Sequence, residues 1–278
     1  MKKIIVAFDG LQYSDNSLQY ALMLAASTPA HLVGVSLESM LYNSYSPYEV
    51  ATEPPAGKAD TARLAQLDQQ SRNIAVDFFL EACRQEGVNC SIHRDKYFAL
   101  DDLLRETIYA DLLVIDTQET MSRERENAPT TFIRRLLADT QCPVFLANGG
   151  YEAIDKVVLL FDGSPAAVHA IKMIHYTLPG LDTLPVEIVT VNDADEGNHL
   201  PDQYLMKEFM KRHHPGAHYT VLRGNAPKQI LEHLRENSEN TLVVMGAYQR
   251  GALSRFFHES LADVLIRNIR CPLFIAHK

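Results

Sequence analysis

Ile4-Ile5-Val6-Ala7-Phe8-Asp9-Gly10 returns 153 residues later as Val157-Val158-Leu159-Leu160-Phe161-Asp162-Gly163. Each is a short apolar run that stops at an Asp-Gly turn, and the pair points to an architecture built twice. Two more segments repeat in the same order. Leu112-Leu113-Val114-Ile115-Asp116 answers to Leu242-Val243-Val244-Met245-Gly246, and Cys142-Pro143-Val144-Phe145-Leu146-Ala147 answers to Cys271-Pro272-Leu273-Phe274-Ile275-Ala276. Three ordered matches mark a tandem duplication. The offset falls to about 130 after the first match, so the first copy carries about 23 extra residues in its middle. The stretch from Tyr42 to Asp60, rich in Tyr, Ser, Pro and Glu, is where they are expected. Asn148-Gly149-Gly150-Tyr151 is a small-residue linker, which sets the expected domains at 1–150 and 151–278.

Within each copy, apolar runs alternate with helical patterns. The first copy has strand candidates at Ile4–Phe8, Leu32–Ser36, Cys90–His93, Leu112–Ile115 and Val144–Ala147. Helix patterns fall at Ser14–Ala26, Thr61–Gln85, Leu100–Tyr109 and Thr131–Ala138. The second copy gives strands at Val157–Phe161, Val186–Val191, His218–Leu222, Leu242–Met245 and Leu273–Ala276. Its helices are expected at Ala166–Thr177, Asp202–Lys211, Pro227–Glu236 and Ser260–Arg267. Near-continuous β-branched and leucine runs mark strands buried on both faces. Strand–helix alternation then predicts an α/β protein of two doubly wound domains, each a five-stranded parallel sheet with helices on both faces.

Composition narrows the function. A chain of 278 residues, 46% hydrophobic and 22% charged, buries a sizeable core without metal or disulfide staples. Against 35 acidic side chains stand 26 Lys and Arg, a formal charge of −9. Such a chain lacks the basic footprint that nucleic acids or anionic membranes require. The run Ile4–Phe8 is too short for a signal peptide, which needs an apolar stretch of ~7–15 residues, or for a membrane helix of ~20. A cytoplasmic protein is expected. Cys83, Cys90, Cys142 and Cys271 show no CxxC spacing, so they read as reduced core thiols.

In open parallel sheets, ligands bind beyond the carboxyl ends of the strands, where strand order reverses. Asp9-Gly10 and Asp162-Gly163-Ser164 end the first strands, and two readings of them stay open. The carboxylate contacts a ligand base or ribose, or Asp and Ser cap the following helix. After the fourth strand of the second copy, Gly246 and Gly251 have phosphate-loop spacing. Ala252-Leu253 stands where a Walker site needs Lys-Ser/Thr, so this is not one. Arg250 and Arg255 remain as candidate phosphate contacts, and Ser260 opens the last helix, whose N-terminus favours anions.

These marks together resemble the universal stress protein family: a first strand ending Phe-Asp-Gly, a fourth ending Met-Gly, a last opened by Cys-Pro, and all of it twice. Nucleotide-binding members carry Gly-x2-Gly-x9-Gly-Ser/Thr after the fourth strand, around the ribose and phosphates of ATP. Here Gly246 matches the first glycine and Ser260 the Ser/Thr, but Gln249 and Glu259 replace the other two glycines. In the first copy Asp116 replaces the first glycine, and Pro129-Thr130-Thr131 stands where Gly-Ser would be. The resemblance implies a stress-response binding or signalling module without catalytic residues, metal or fixed cofactor. It also implies a degenerate adenine-nucleotide site in the second copy, holding ATP or AMP weakly. That site would comprise Asp162, Gly163, Val191, Gly246, Arg250, Gly251, Arg255 and Ser260. Related single-domain proteins dimerise through the last strand, so the copies are expected to pair as a pseudo-dimer, with further dimerisation open. Two alternatives stand beside it: a weak ATP-hydrolysing enzyme using the second copy, and an interaction protein that binds no ligand.

Other candidates point less far. His213, His214 and His218 surround Pro215-Gly216, which breaks any helix that would align them on a metal, so a surface turn is expected. His258 beside Glu259 has no nucleophile with a third orienting group. Tyr42, Tyr45 and Tyr48 lie in the extra segment and suggest a flap or partner surface.

Overall fold

The computed structural model describes residues 1–11, 13–38, 43–46, 58–95, 98–193, 197–237, 239–246 and 260–277. The chain divides into two compact units, Lys2–Thr140 and Gln141–Lys278, the second also taking in Met1.

In the first unit the elements run β1 (Lys3–Phe8), α1 (Asp15–Ala26), β2 (His31–Leu37), α2 (Lys58–Gln85), β3 (Cys90–Asp95), α3 (Ala99–Ile108), β4 (Leu112–Asp116) and α4 (Thr131–Asp139). The strand order is β3-β2-β1-β4, parallel throughout. Burial explains the run-like strands: Ile4 to Phe8 and Leu112 to Ile115 are sealed on both faces. The chain steps to one side of β1 for β2 and to the other for β4, which makes the carboxyl end of β1 a switch point.

The second unit begins with β5 (Val144–Ala147) and continues β6 (Lys156–Leu160), α5 (Pro165–Thr177), a 3₁₀ turn at Pro179–Leu181, β7 (Val186–Asn192), α6 (Gln203–His213), β8 (His218–Arg223), α7 (Ala226–Asn237), β9 (Thr241–Gly246), α8 (Leu261–Asn268) and β10 (Leu273–Ala276). Strand order here is β5-β10-β9-β6-β7-β8. Five of these strands are parallel. β5 alone runs antiparallel, with Leu146 opposite Leu273 and Phe145 opposite Phe274. The segment that the repeat assigned to the end of the first copy therefore lies in the second unit, and the first unit keeps four strands. An apolar four-residue strand covers the edge of β10, which would otherwise offer unpaired backbone groups. No helix among the described residues is long and apolar enough to cross a membrane.

Ion networks anchor the amino ends of both first strands, away from the switch points. Lys3 Nζ lies 3.0 Å from Glu106 Oε2, and His93 Nδ1 lies 2.7 Å from Glu106 Oε1. In the second unit Glu187 sits 2.8 Å from Lys156 Nζ and 3.0 Å from His233 Nε2, and it accepts the Thr220 hydroxyl at 2.6 Å. Burial opposes the charge of Glu187, but these partners outweigh it and hold the carboxyl down to about 2.

Candidate functional site

Asp162 follows β6 at the point where β6 is flanked by β7 on one side and β9 on the other. One carboxylate oxygen accepts the Ser164 backbone N–H at 2.9 Å, and the side chain is otherwise exposed. Ser164 is the N-cap of α5, its hydroxyl accepting from Ala167 N at 3.1 Å. Both readings of Asp-Gly-Ser thus have a structural counterpart: Ser164 caps the helix, and the Asp162 side chain stays exposed. Gly163 has φ +81°, and a β-carbon there would stand 2.7 Å from Pro201 Cβ.

The neighbouring strand ends supply the rest. Val191, half-buried, lies near the end of β7 beside Asn192, whose amide donates to the Gly197 and His199 carbonyls at 2.6 and 2.9 Å. Gly246 ends β9 beneath the first turn of α5. A β-carbon on it would meet Ala166 C at 2.3 Å, Ala166 O at 2.4 Å and Ala167 N at 2.6 Å. Glycine is required there because the helix backbone fills the space any side chain would need. Ser260 caps α8 in a reciprocal capping box, accepting Asp263 N at 3.0 Å while Asp263 Oδ2 accepts Ser260 N at 3.4 Å. Part of the donor set that an anion would use at this terminus is already engaged. Asp162, Gly163, Val191 and Gly246 thus share one end of three adjacent strands. Arg250, Gly251 and Arg255 lie outside the described residues, as do Gln249, His258 and Glu259.

The corresponding end of β1 is built differently. Asp9 repeats the turn of Asp162, its Oδ1 accepting Leu11 N at 2.9 Å, yet it is only 1% exposed. The cover is α2. Phe79 of α2 stacks on Phe8 at 5.9 Å, Phe78 meets Tyr13 edge-on at 5.4 Å, and Tyr13 stands against Phe8 at 5.5 Å. A β-carbon on Gly10 would lie 2.7 Å from Arg72 Cα, so backbone meets backbone. Asp116 ends β4 and accepts the Ser14 hydroxyl at 2.5 Å and Gln118 N at 2.9 Å. Glu119, unremarked in the sequence, is the third acid: it is 5% exposed, and its Oε1 is buried without a hydrogen-bond partner. Burial, with the charges of Asp9 and Asp116 beside it, pushes this carboxyl well above the usual range. The backbone oxygen of Glu119 accepts the Thr130 hydroxyl, and Thr130 caps α4. An Asp-x-x-Glu straight after a buried strand is the signal that could have found it.

Among the described residues no group of three or more His, Cys, Asp or Glu is placed to hold a metal ion. Cys142 and Cys271 are buried thiols, and burial pushes that of Cys271 up to about 12. Of the tyrosines in the extra segment Tyr45 alone is described; Tyr42 and Tyr48 lie outside the described residues. His213 and His214 do not form the surface turn expected of them. α6 runs on to His213, and this places both rings against His175 of α5.

In doubly wound α/β units the switch point is where ligands usually bind. The model of the Universal stress protein family matches residues 153–277, so this part of the chain is similar to that family. A universal stress protein from Archaeoglobus fulgidus is similar in fold over 99% of this chain and 98% of that one, with a TM-score of 0.72 at 12% identity. A candidate universal stress protein from Pseudomonas aeruginosa is similar over 100% of this chain and 93% of its own, with a TM-score of 0.62 at 16% identity. A universal stress protein family protein from Arabidopsis thaliana, with AMP bound, matches 52% of this chain and 90% of its own at 15% identity and a TM-score of 0.36. None of the curated proteins matches the chain.

Proposed function

We propose that the protein is a cytoplasmic stress-response binding module of two family domains, 1–150 and 151–278, that holds an adenine nucleotide weakly in the second and catalyses nothing. The observation that carries this reading is the exposed Asp162 carboxylate at the β6 switch point, set against the buried Asp9 at the equivalent place. The free oxygen of Asp162 accepts from a ribose hydroxyl or the adenine amino group, and Gly163, Val191 and Gly246 line the approach. Arg250, Gly251 and Arg255 are assigned to the phosphates from their sequence positions alone, with Ser260 at the start of α8. Gln249 and Glu259 stand where family glycines let the backbone approach the phosphates, so AMP and adenosine are penalised less than ATP. A carboxylate ~4 Å from a phosphate charge costs about 1–4 kcal/mol between the dielectrics of water and a protein surface. In this reading the two copies pair with each other.

A second reading has one observation in its favour. The Ser260–Asp263 capping box occupies donors that a phosphate would use, as an interaction protein without a ligand would have it. Incubation of the full chain with ATP, with analysis of the nucleotide released on denaturation, separates the readings. Intact ATP or AMP retained in substoichiometric amount supports the module, ADP accumulating over repeated turnovers supports the enzyme, and no nucleotide supports the interaction protein.

A further inference from the structure

α6 is held to its unit by few buried side chains, and its last turn is anchored by histidines. Met206 and Met210 are its buried apolar side chains. At its carboxyl end His213 lies 5.1 Å, ring centre to ring centre, from His175 of α5, 5.9 Å from Tyr176 and 4.2 Å from Phe209. His214 stacks on His175 at 6.4 Å. His175 and His214 are each only 9% exposed. His175 Nδ1 lies 2.6 Å from Asp182 Oδ1, and its Nε2 is buried without a hydrogen-bond partner. A carboxylate can only accept, so Nδ1–H is the donor of this pair. The cluster sets two imidazoles against a third, whose one carboxylate partner is already engaged.

We propose that His175, His213 and His214 form an acid-sensitive clamp that fastens the carboxyl end of α6 to α5 and opens on mild acidification. The groups facing the two terminal histidines are few. Across the contact stand His175 and Lys172 of α5 and Asp182 after the 3₁₀ turn; on α6 itself Lys211 and Arg212 precede them. Burial and the neighbouring His175 hold the His213 and His214 imidazoles below the ordinary histidine value, and for His213 Lys172 adds to this; Asp182 opposes it for both. A histidine depressed in the fold contributes stability above its unfolded value of about 6.5 and loses it as pH falls through that value towards the folded one. Acid thus works against the clamp, and the charge it introduces repels across α5 and α6.

The amino end of α6 gives the clamp its reach. Pro201, two residues before α6, is the residue against which Gly163 packs in the candidate crevice. Any effect of the clamp on ligand binding rests on the nucleotide reading; the release of α6 does not.

Amide hydrogen exchange of the full chain at pH 7.5 and 5.5, corrected for intrinsic rates, tests the clamp without any ligand. Peptides covering 203–214 are expected to lose protection several-fold at pH 5.5, while those covering β9 and α8 keep theirs. The double variant His213→Phe, His214→Phe keeps ring packing and removes the charge, so it should retain protection at pH 5.5. Unchanged protection of α6 in the wild type, or equal loss in the double variant, overturns the clamp. Should the variant fail to fold, imidazole proton resonances of the wild type decide: midpoints for both terminal histidines below 6.5 uphold the clamp, and midpoints at or above it refute it.

Discussion

At the end of β1 an Asp-Gly turn lies sealed beneath α2; at the end of β6 the same turn stands open. The local chemistry is the same: Asp9 accepts Leu11 N, and Asp162 accepts Ser164 N, each at 2.9 Å. The difference lies in the helix that succeeds the second parallel strand of each unit. α2 has 28 residues and brings Arg72, Phe78 and Phe79 over the turn, whereas α6 has 11, and Pro201, two residues before it, approaches Gly163. The motif is repeated, but its exposure is not.

Substitution at the fourth strand should show this contrast most strongly. Gly246→Ala should destabilise the second unit by about 3 kcal/mol, because three backbone atoms of α5 occupy the space and none can swing aside. Asp116, at the matching place in the first unit, is a full side chain that is accommodated and hydrogen-bonded. Denaturant unfolding of the variant should show an early transition from the second unit alone; a wild-type midpoint would contradict this role of Gly246.

A smaller effect of opposite sign belongs to the first unit. Glu119 is raised in the fold, so it binds a proton that the unfolded chain releases, and its contribution is present at low pH and lost as pH rises above about 4.5. Glu119→Gln should raise stability at pH 7.5 by about 1–2 kcal/mol and flatten that decline. Glu187 behaves the other way: held down to about 2, it supports the second unit above about 4.5 and loses this as pH falls towards 2. Melting curves of wild type, Glu119→Gln and Glu187→Gln across pH 3 to 8 check both signs, and a decline with rising pH that survives Glu119→Gln contradicts the first.

Helix capping gives the least effect. Ser164→Ala removes the acceptor for Ala167 N and should cost about 1 kcal/mol. Ser14→Ala cannot act in this way, because Ser14 makes no side-chain cap and donates to Asp116 instead. Loss of ligand in Ser164→Ala beyond that expected from stability would assign Ser164 to the site.

The strands were legible because buried parallel strands read as unbroken apolar runs: Val144–Ala147 and Leu273–Ala276 were placed to the residue. Which unit β5 joins was not legible, since a four-residue apolar strand carries no record of its neighbour. Asp162 and Gly246 could be singled out from turn chemistry and repetition. The cover over Asp9 could not, because the helix expected at Thr61–Gln85 carries no record of what it packs against, and the contact between Gly10 and Arg72 depends on that packing. The histidine clamp was hidden by Pro215-Gly216, whose turn suggests an earlier end to α6. The helix in fact continues to His213, and two ring positions change from surface to contact.

On the proposed reading the ligand binds at the open turn and not at the sealed one. Calorimetric titration of AMP into wild type, Asp162→Ala and Asp9→Ala is the decisive measurement, with folding of each confirmed by its melting curve. Weak, single-site binding is expected for wild type and for Asp9→Ala, and at least about tenfold weaker binding for Asp162→Ala, a loss of about 1.4 kcal/mol. Equal weakening by the two substitutions, or binding abolished only in Asp9→Ala, would contradict the assignment.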